Sequence, residues 1–254
     1  MESEAERIAA GFVEAERQRR ANVPGAEVVE LDGLALAFAN VPDPEVNSVL
    51  VISEPASPAA AVAAAEEEFR RRERTFGMDL QVGRHPSVDE AVRSAGLTLL
   101  FSRPGMAARI EDLPERQLPE GVEAAPVDDE RGAVGVARVD VEAFEDRPEL
   151  AERFYAPGSF GVEGARSFVA WEGEEPIGIA AAHLRKGAVG IFGVGVIPRA
   201  RRRGIGTALT LIAARTFPPA DLAWLHPSEM ARSLYEELGF RAVSDWEVWV
   251  RRSE

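Results

Sequence analysis

The chain has 254 residues and a mass of 27.5 kDa, enough for one large domain or two of ordinary size, and its 46% hydrophobic and 28% charged content is that of a folded protein rather than a disordered one. A net charge of −14 and a pI near 4.8 argue against a nucleic-acid binder, which needs a basic face for phosphate. The absence of cysteine excludes disulfide staples, thiol nucleophiles and Cys-ligated zinc or iron–sulfur sites.

The N-terminus, Met1-Glu2-Ser3-Glu4, is acidic, and no apolar run approaches membrane-spanning length, so the expectation is a cytoplasmic protein without a signal peptide or membrane contact. Residues 1–24 read as an N-terminal helix with Ile8, Ala9, Phe12 and Ala15 along one stripe, either docked by that face or offered to a partner or second copy as a homodimer contact. Leu31–Ala39 and Ser48–Ile52 are strand-like. Ser57-Pro58 starts a helix, with Glu66, Glu67 and Glu68 placed four residues before Arg70, Arg71 and Arg72 for ion pairing along a solvated face. Met78–Val82 reads as a strand, Ser87–Ala95 as a short helix closed by Gly96, and Thr98–Ser102 as another strand.

Pro104, Pro114, Pro119 and Pro126 punctuate a stretch with little periodicity, and 104–121 reads as a linker between a domain over 25–103 and another over 122–254. The second domain opens with a strand at Val122–Ala124 and helical material over Asp128–Tyr155, followed by a Gly-rich loop, Pro157–Gly164. Phe168–Trp171, Ile177–Leu184 and Ala188–Ile197 read as consecutive hairpin strands. Thr207–Thr216 is an amphipathic helix, Leu222–Leu225 a strand, Glu229–Leu238 a helix ended by Gly239, and Ala242–Val250 the last strand or strand pair.

Three widely spaced histidines, His85, His183 and His226, point to no dedicated metal site. Lys186 is the sole lysine, and no G-x-x-x-x-G-K-[ST] phosphate loop can be written around it. The informative stretch is Val194-Gly195-Val196-Ile197-Pro198-Arg199-Ala200-Arg201-Arg202-Arg203-Gly204-Ile205-Gly206-Thr207. A strand ends at Pro198, arginines crowd the next positions, and two glycines open a helix. Glycine lets a backbone approach phosphate closely, and the first helical N–H groups are open donors at the positive end of the helix dipole. Arginine adds forked donors and charge. A dinucleotide fingerprint needs a third glycine, but Leu209 stands in its place.

Arg201-x-x-Gly204-x-Gly206 resembles the Q/R-x-x-G-x-G/A loop of the GNAT N-acetyltransferase superfamily. Val194 to Pro198 resembles the strand that enters that loop, and Ala231-Arg232-Ser233-Leu234-Tyr235-Glu236-Glu237-Leu238-Gly239-Phe240 resembles the family's A-x-x-L-Y-x-x-L-G-F helix and turn. The resemblance covers about 120–252 and implies an α/β fold: a mixed, mostly antiparallel sheet flanked by helices. It also implies acetyl-CoA as cosubstrate, without a metal, and acetyl transfer to a small-molecule or peptide amine. Val194, Gly195 and Val196 would pair with the pantetheine arm as an added strand would. Arg201, Arg202, Arg203, Gly204, Ile205, Gly206 and Thr207 would cradle the pyrophosphate. Ser228 stands where the family often has an Asn on the CoA arm, and Tyr235 would protonate the leaving thiolate. A free tyrosine has a pKa near 10 and holds its proton at neutral pH. Packing is the alternative for Tyr235, beside Leu234 and Leu238.

Many relatives draw the amine proton with a glutamate on the strand that corresponds to Ala188–Ile197, which here has no carboxylate. Water, Glu142, Glu145, Glu163 and His183 remain as bases, with a packing role open for His183. Tyr155, Phe160 and Trp171 either line the acceptor pocket or belong to the core. A non-catalytic acyl-CoA-binding or sensor protein is the alternative function.

The first half echoes the second. His85-Pro86-Ser87 matches His226-Pro227-Ser228, and Ala95-Gly96-Leu97 matches Leu238-Gly239-Phe240. Val92 then falls where Tyr235 stands, and Ser53-Glu54-Pro55-Ala56-Ser57-Pro58, acidic and without glycine, falls at the phosphate loop. The reading is a tandem of two copies, with 25–103 a degenerate GNAT-like domain; an unrelated α/β domain is the alternative for that half.

Overall fold

The computed structural model describes residues 2–21, 23–39, 46–145, 147–155 and 159–251. The chain divides into two compact units. One joins Met1–Ala15 to Met106–Arg241, and the other joins Glu16–Gly105 to Ala242–Glu254.

Helix α1 (Glu4–Ala21) begins in the first of these units and ends in the second. The second unit continues with β1 (Glu27–Leu31), β2 (Leu34–Phe38), β3 (Ser48–Val51), α2 (Pro58–Arg71), β4 (Gly77–Gln81), α3 (Pro86–Ser94) and most of β5 (Thr98–Arg109). β1 and β2 form a hairpin with Leu31 opposite Leu34. Its two-residue turn, Asp32-Gly33, has positive φ at both positions (38° and 78°), the geometry that matches strand twist and that an Asp-Gly pair tolerates. The stretch read as one strand over Leu31–Ala39 therefore holds the end of the first arm, the turn and the second arm, Leu34–Phe38, and the turn dipeptide was the signal of the hairpin. β3 runs antiparallel to β2 and parallel to β4. The chain's last strand, Arg241–Val250, pairs antiparallel with β4 and is the other neighbour of β5. In the core Phe69 stacks on Phe76 with centroids 4.6 Å apart, and Phe38 tilts against Phe69 at 4.4 Å.

In the other unit come β6 (Val122–Pro126), α4 (Glu130–Phe144), α5 (Pro148–Phe154), β7 (Ala165–Glu172), β8 (Glu175–Arg185), β9 (Ala188–Val196), α6 (Ile205–Ala214), β10 (Leu222–Leu225) and α7 (Arg232–Glu237), leaving β11 as the last strand. β6 to β9 pair antiparallel in sequence order, and β10 lies parallel to β9. The end of β5, Met106–Arg109, pairs antiparallel with β10. Asp129 caps α4 by accepting from the Gly132 N–H at 2.7 Å, and Pro148 opens α5, where a missing N–H is harmless. The apolar stripe of α1 is buried at Ile8, Ala9, Phe12 and Ala15. Gly11 allows close approach, since a Cβ there would lie 3.1 Å from Trp224 Nε1.

Residues 104–121, read as a linker, include the last six residues of β5 and a 3-10 turn at Ile110–Asp112, and the two units divide between Gly105 and Met106. Pro104 misled because a proline costs a strand nothing where its nitrogen faces an unpaired edge. The C-terminal segment, grouped by sequence with 122–241, folds into the N-terminal unit through β11. Of the Gly-rich loop expected at Pro157–Gly164, Pro157 and Gly158 lie outside the described residues.

Candidate functional site: an open strand leading into an uncapped helix

β9 is paired unequally along its length. β10 accompanies it only from Ala188 to Gly190, and among the described residues no strand follows it on that side from Ile191 to Val196. On the other side the register with β8 slips: Ala181 faces Phe192, whereas Ile179 faces Gly195. Gly193 and Val194 thus oppose Ala180 alone, and Gly193 has φ 56°. Such a bulge turns a strand away from its neighbour and leaves backbone groups open. An extended ligand can add to that edge as a strand would.

The two faces of this half-strand differ. A Cβ on Gly206 would lie 3.6 Å from Val196 Cγ2 and 3.9 Å from Val194 Cγ1, so both valines face α6. Gly195 faces α4, where a Cβ would lie 2.9 Å from the Phe144 ring. Gly190 sits under Trp224 and Phe192, with clearances of 2.5 and 2.8 Å.

Beyond β9, Ile197 is buried and Pro198–Ala200 makes a 3-10 turn. Arg202 (φ 64°) and Gly204 (φ 81°) reverse the chain, so that α6 starts at Ile205 without a side-chain cap. The first intrahelical bond runs from Ala208 N–H to the Gly204 carbonyl at 3.0 Å. The N–H groups of Ile205, Gly206 and Thr207 therefore stand at the open, positive end of the helix. Ile205 puts its side chain into the core and Thr207 is half-buried. An anion fits this end on charge and on space, because Gly204 has nothing within 4 Å of where a Cβ would be.

The four arginines do different things. Arg199 pairs with Glu175, and Arg203 forks onto Glu172 at 2.6 and 3.2 Å. The Arg203 hydrogen bond holds the Glu172 carboxyl below its usual range. The Arg201 guanidinium donates to the Val196 carbonyl at 3.0 Å and the Ala143 carbonyl at 2.9 Å, tying the loop to the end of β9 and the last turn of α4. Arg202 is exposed and makes no ion pair or hydrogen bond among the described residues. Sequence grouped all four as one basic patch; the structure gives three of them intramolecular work and leaves Arg202 to solvent.

Tyr235, on α7, is buried, edge-on to Phe240 at 6.0 Å, and lies beside Thr210 of α6. Burial pushes its phenol above the usual value of 10.0, against a smaller opposing effect of the Thr210 hydroxyl. Thr210 itself donates to the Gly206 carbonyl at 2.8 Å, within the first turns of α6. Sequence reasoning missed Thr210, although its place four residues after Gly206 puts it on the same helix face. Ser228 is exposed at the start of the 3-10 turn Glu229–Ala231, where its carbonyl accepts from Ala231 N–H.

The candidate bases are dispersed. Glu142, Glu145 and Glu163 are exposed, Glu145 in the left-handed position that ends α4. His183 is buried on β8, its ring 5.2 Å from that of Phe192 and nearly perpendicular. Trp171 lies beneath α4 at Gly135, with Arg131 4.1 Å over its ring. Tyr155 donates to Asp140 Oδ1 at 2.9 Å and lies parallel to Phe160, centroids 6.5 Å apart. Asp140, a buried carboxylate of α4, carried no sequence signal. Among the described residues no group of three or more His, Asp or Glu is placed to hold a metal, and no helix is long and apolar enough to cross a membrane.

A model of the acetyltransferase (GNAT) family matches residues 123–240. The chain is 31% identical to a mycothiol acetyltransferase of Nocardioides sp. over 69% of its own length and 70% of that protein's. It is 34% identical to a mycothiol acetyltransferase of Streptomyces scabiei over 62% of its length, a match that spans only 56% of that relative. Among solved structures, a GCN5-related N-acetyltransferase from Kribbella flavida superposes with a TM-score of 0.77 at 20% identity, covering 100% of this chain and 98% of that one. A tandem GNAT protein from the clavulanic acid biosynthesis pathway superposes at 0.65 and 18% identity, covering 97% and 94%. Both likenesses show the fold.

Proposed function

The chain belongs to the acetyltransferase (GNAT) family, and from that membership we propose that it moves an acetyl group from acetyl-CoA to a primary amine by direct attack. The observation that carries the proposal is the unpaired half of β9 running straight into the uncapped start of α6. Pantetheine amides would bond to the open backbone from Val194 to Val196. The pyrophosphate would meet the N–H groups of Ile205, Gly206 and Thr207, with Arg202 the arginine side chain free to join them. The role of Arg201 becomes one of holding the loop, through two carbonyls.

In the transfer, the neutral amine nitrogen bonds to the thioester carbonyl carbon, the tetrahedral intermediate collapses with cleavage of C–S, and the Tyr235 proton goes to the departing thiolate. The nitrogen's surplus proton leaves through water or a nearby base. Without a cysteine, no acetyl-cysteine intermediate is available, which supports direct transfer.

We read the N-terminal unit as a degenerate copy of the same fold. Its support is that the Asp32 carboxylate accepts from the N–H groups of Ala56 (3.0 Å) and Ser57 (3.3 Å), just ahead of α2, where an anion would otherwise bind. Glu54 in the same loop is tied to His85 and Ser87.

The names of two relatives make a mycothiol-related amine the first acceptor to test, with polyamines, aminosugars and basic peptides beside it. Release of thiol from acetyl-CoA in the presence of one of these amines is the expected outcome. The lack of a carboxylate on β9 favours one rival, an acyl-CoA-binding protein without turnover. Stabilisation by acetyl-CoA with no thiol release on any acceptor would select that rival.

A further inference from the structure

The ladder between β9 and β10 closes at one pair, Gly190 opposite Trp224, and stops there. From that point the open half of β9 runs on toward the start of α6. A ligand with its pyrophosphate at α6 and its arm laid back along Val196 and Val194 brings its thioester toward the closed end of this gap, a placement that rests on the acetyl-transfer reading above. On the other side of the gap the chain continues from Trp224 through Leu225 to His226. Ala223 and Leu225 are buried in the core that holds Ile205 and Leu209 of α6, so alternation turns Trp224 and His226 to the opposite face. The contacts agree. Trp224 lies against Gly11 of α1, and the His226 ring is 5.7 Å from the Trp224 indole and 4.9 Å from the ring of Phe12. Phe192, two residues beyond Gly190 on β9, is 5.4 Å from the same indole. His226 and Phe192 thus flank one indole at the closed end of the gap, one from each strand.

We propose that His226 is the base of the transfer. As the amine nitrogen bonds to the thioester carbonyl carbon, the imidazole takes the proton that the nitrogen sheds and passes it to water. Cleavage of C–S frees the thiolate, which takes the Tyr235 proton, and the phenolate regains one from solvent. The sum is amine plus thioester to amide plus thiol, with no proton left over. Imidazole is the side chain that gains and loses a proton near neutral pH, which suits it to this step. β9 has no carboxylate to do the same work. His226 is half-buried and keeps an edge toward solvent, whereas His183 is 7% exposed and stands on β8 opposite Gly190, inside the paired stretch. The rings packed on His226, Phe12 of α1 and Trp224 of β10, carry no charge. Tyr235 stands beside Thr210 on the α6 face, so acid and base approach the gap from opposite faces of the sheet.

The test is thiol release from acetyl-CoA by the full chain, with glucosamine and spermidine as acceptors, in wild type, His226→Gln and His183→Gln. His226→Gln should lower kcat about 100-fold, the scale of a lost general base, with acetyl-CoA affinity and melting midpoint unchanged. His226→Asn is the second variant should the first melt lower. The ratio of wild-type to His226→Gln rates, in which the titration of the amine cancels, should shrink as pH falls and the imidazole is protonated. Imidazole added to His226→Ala should restore part of the rate, which a packing role would not allow. Undiminished turnover in His226→Gln beside an active wild type, a ratio constant with pH, no rescue by imidazole, or a larger loss in His183→Gln would each overturn the proposal alone. A wild type that neither binds acetyl-CoA nor releases thiol would overturn the acetyl-transfer reading with it.

Discussion

The Thr210 hydroxyl donates to the Gly206 carbonyl at 2.8 Å, and the Tyr235 phenol lies beside that hydroxyl. The proposed acid thereby stands against the helix whose first turn is the proposed pyrophosphate cradle. Tyr235→Phe should lower kcat about 100-fold, the scale of a lost general acid, with acetyl-CoA affinity unchanged. Thr210→Val keeps the shape and removes the hydroxyl beside the phenol, and should cost less in kcat than Tyr235→Phe. Equal kcat in wild type and Tyr235→Phe would return Tyr235 to a packing role.

The raised phenol also sets a pH expectation. A folded-state value above 10.0 means that Tyr235 keeps its proton through that pH, so kcat should show no fall from its ionisation on the way there. The stability it contributes is complete below the unfolded value of 10.0 and is lost as pH rises through the higher folded value. A pH profile of kcat up to pH 10, paired with melting curves, reads both. Tyr235→Phe should flatten the alkaline loss of stability.

Arg201 should act on binding rather than on chemistry. Removing its two hydrogen bonds with Arg201→Ala frees the loop from Val196 and Ala143, and the KM for acetyl-CoA should rise about tenfold with kcat nearly unchanged, as loss of one to two kcal/mol implies. Steady-state kinetics at saturating amine separates the two parameters.

Gly190 offers a test of packing. A methyl there would enter the space of Trp224 and Phe192 at 2.5 and 2.8 Å, and both rings belong to an aromatic cluster with Phe12. Gly190→Ala should destabilise the fold by about 1–3 kcal/mol, measured by urea denaturation.

Much of this was readable in the sequence because its causes are local. The stripe Ile8, Ala9, Phe12 and Ala15 reports a helical period, and Arg201-x-x-Gly204-x-Gly206 reports a turn that needs glycine. The same locality explains what was missed. The bulge at Gly193 exists only against Ala180, and Arg203, expected at the cofactor with Arg199 in the same basic run, is instead met by Glu172 as Arg199 is by Glu175, partners that only the sheet brings to them. The fate of Ala242–Val250 was hidden for the same reason: a strand's sequence shows its alternation and not its partner.

The N-terminal unit should add no second cofactor site, because Asp32 already accepts the N–H groups ahead of α2. Isothermal titration of acetyl-CoA into the full chain should give one site per chain. Asp32→Ala should leave that stoichiometry at one, since Pro55, Pro58 and Glu54 still line the loop.

The account rests on α6 beginning at an acetyl-CoA site, and Gly206→Glu tests it most directly. The new Cβ has ordinary clearance from Val196 and Val194, while its carboxylate would stand where the pyrophosphate is proposed to lie. With wild type and variant melting alike, the account predicts acetyl-CoA binding and thiol release in the wild type and neither in Gly206→Glu. Undiminished binding and turnover in the variant would contradict it.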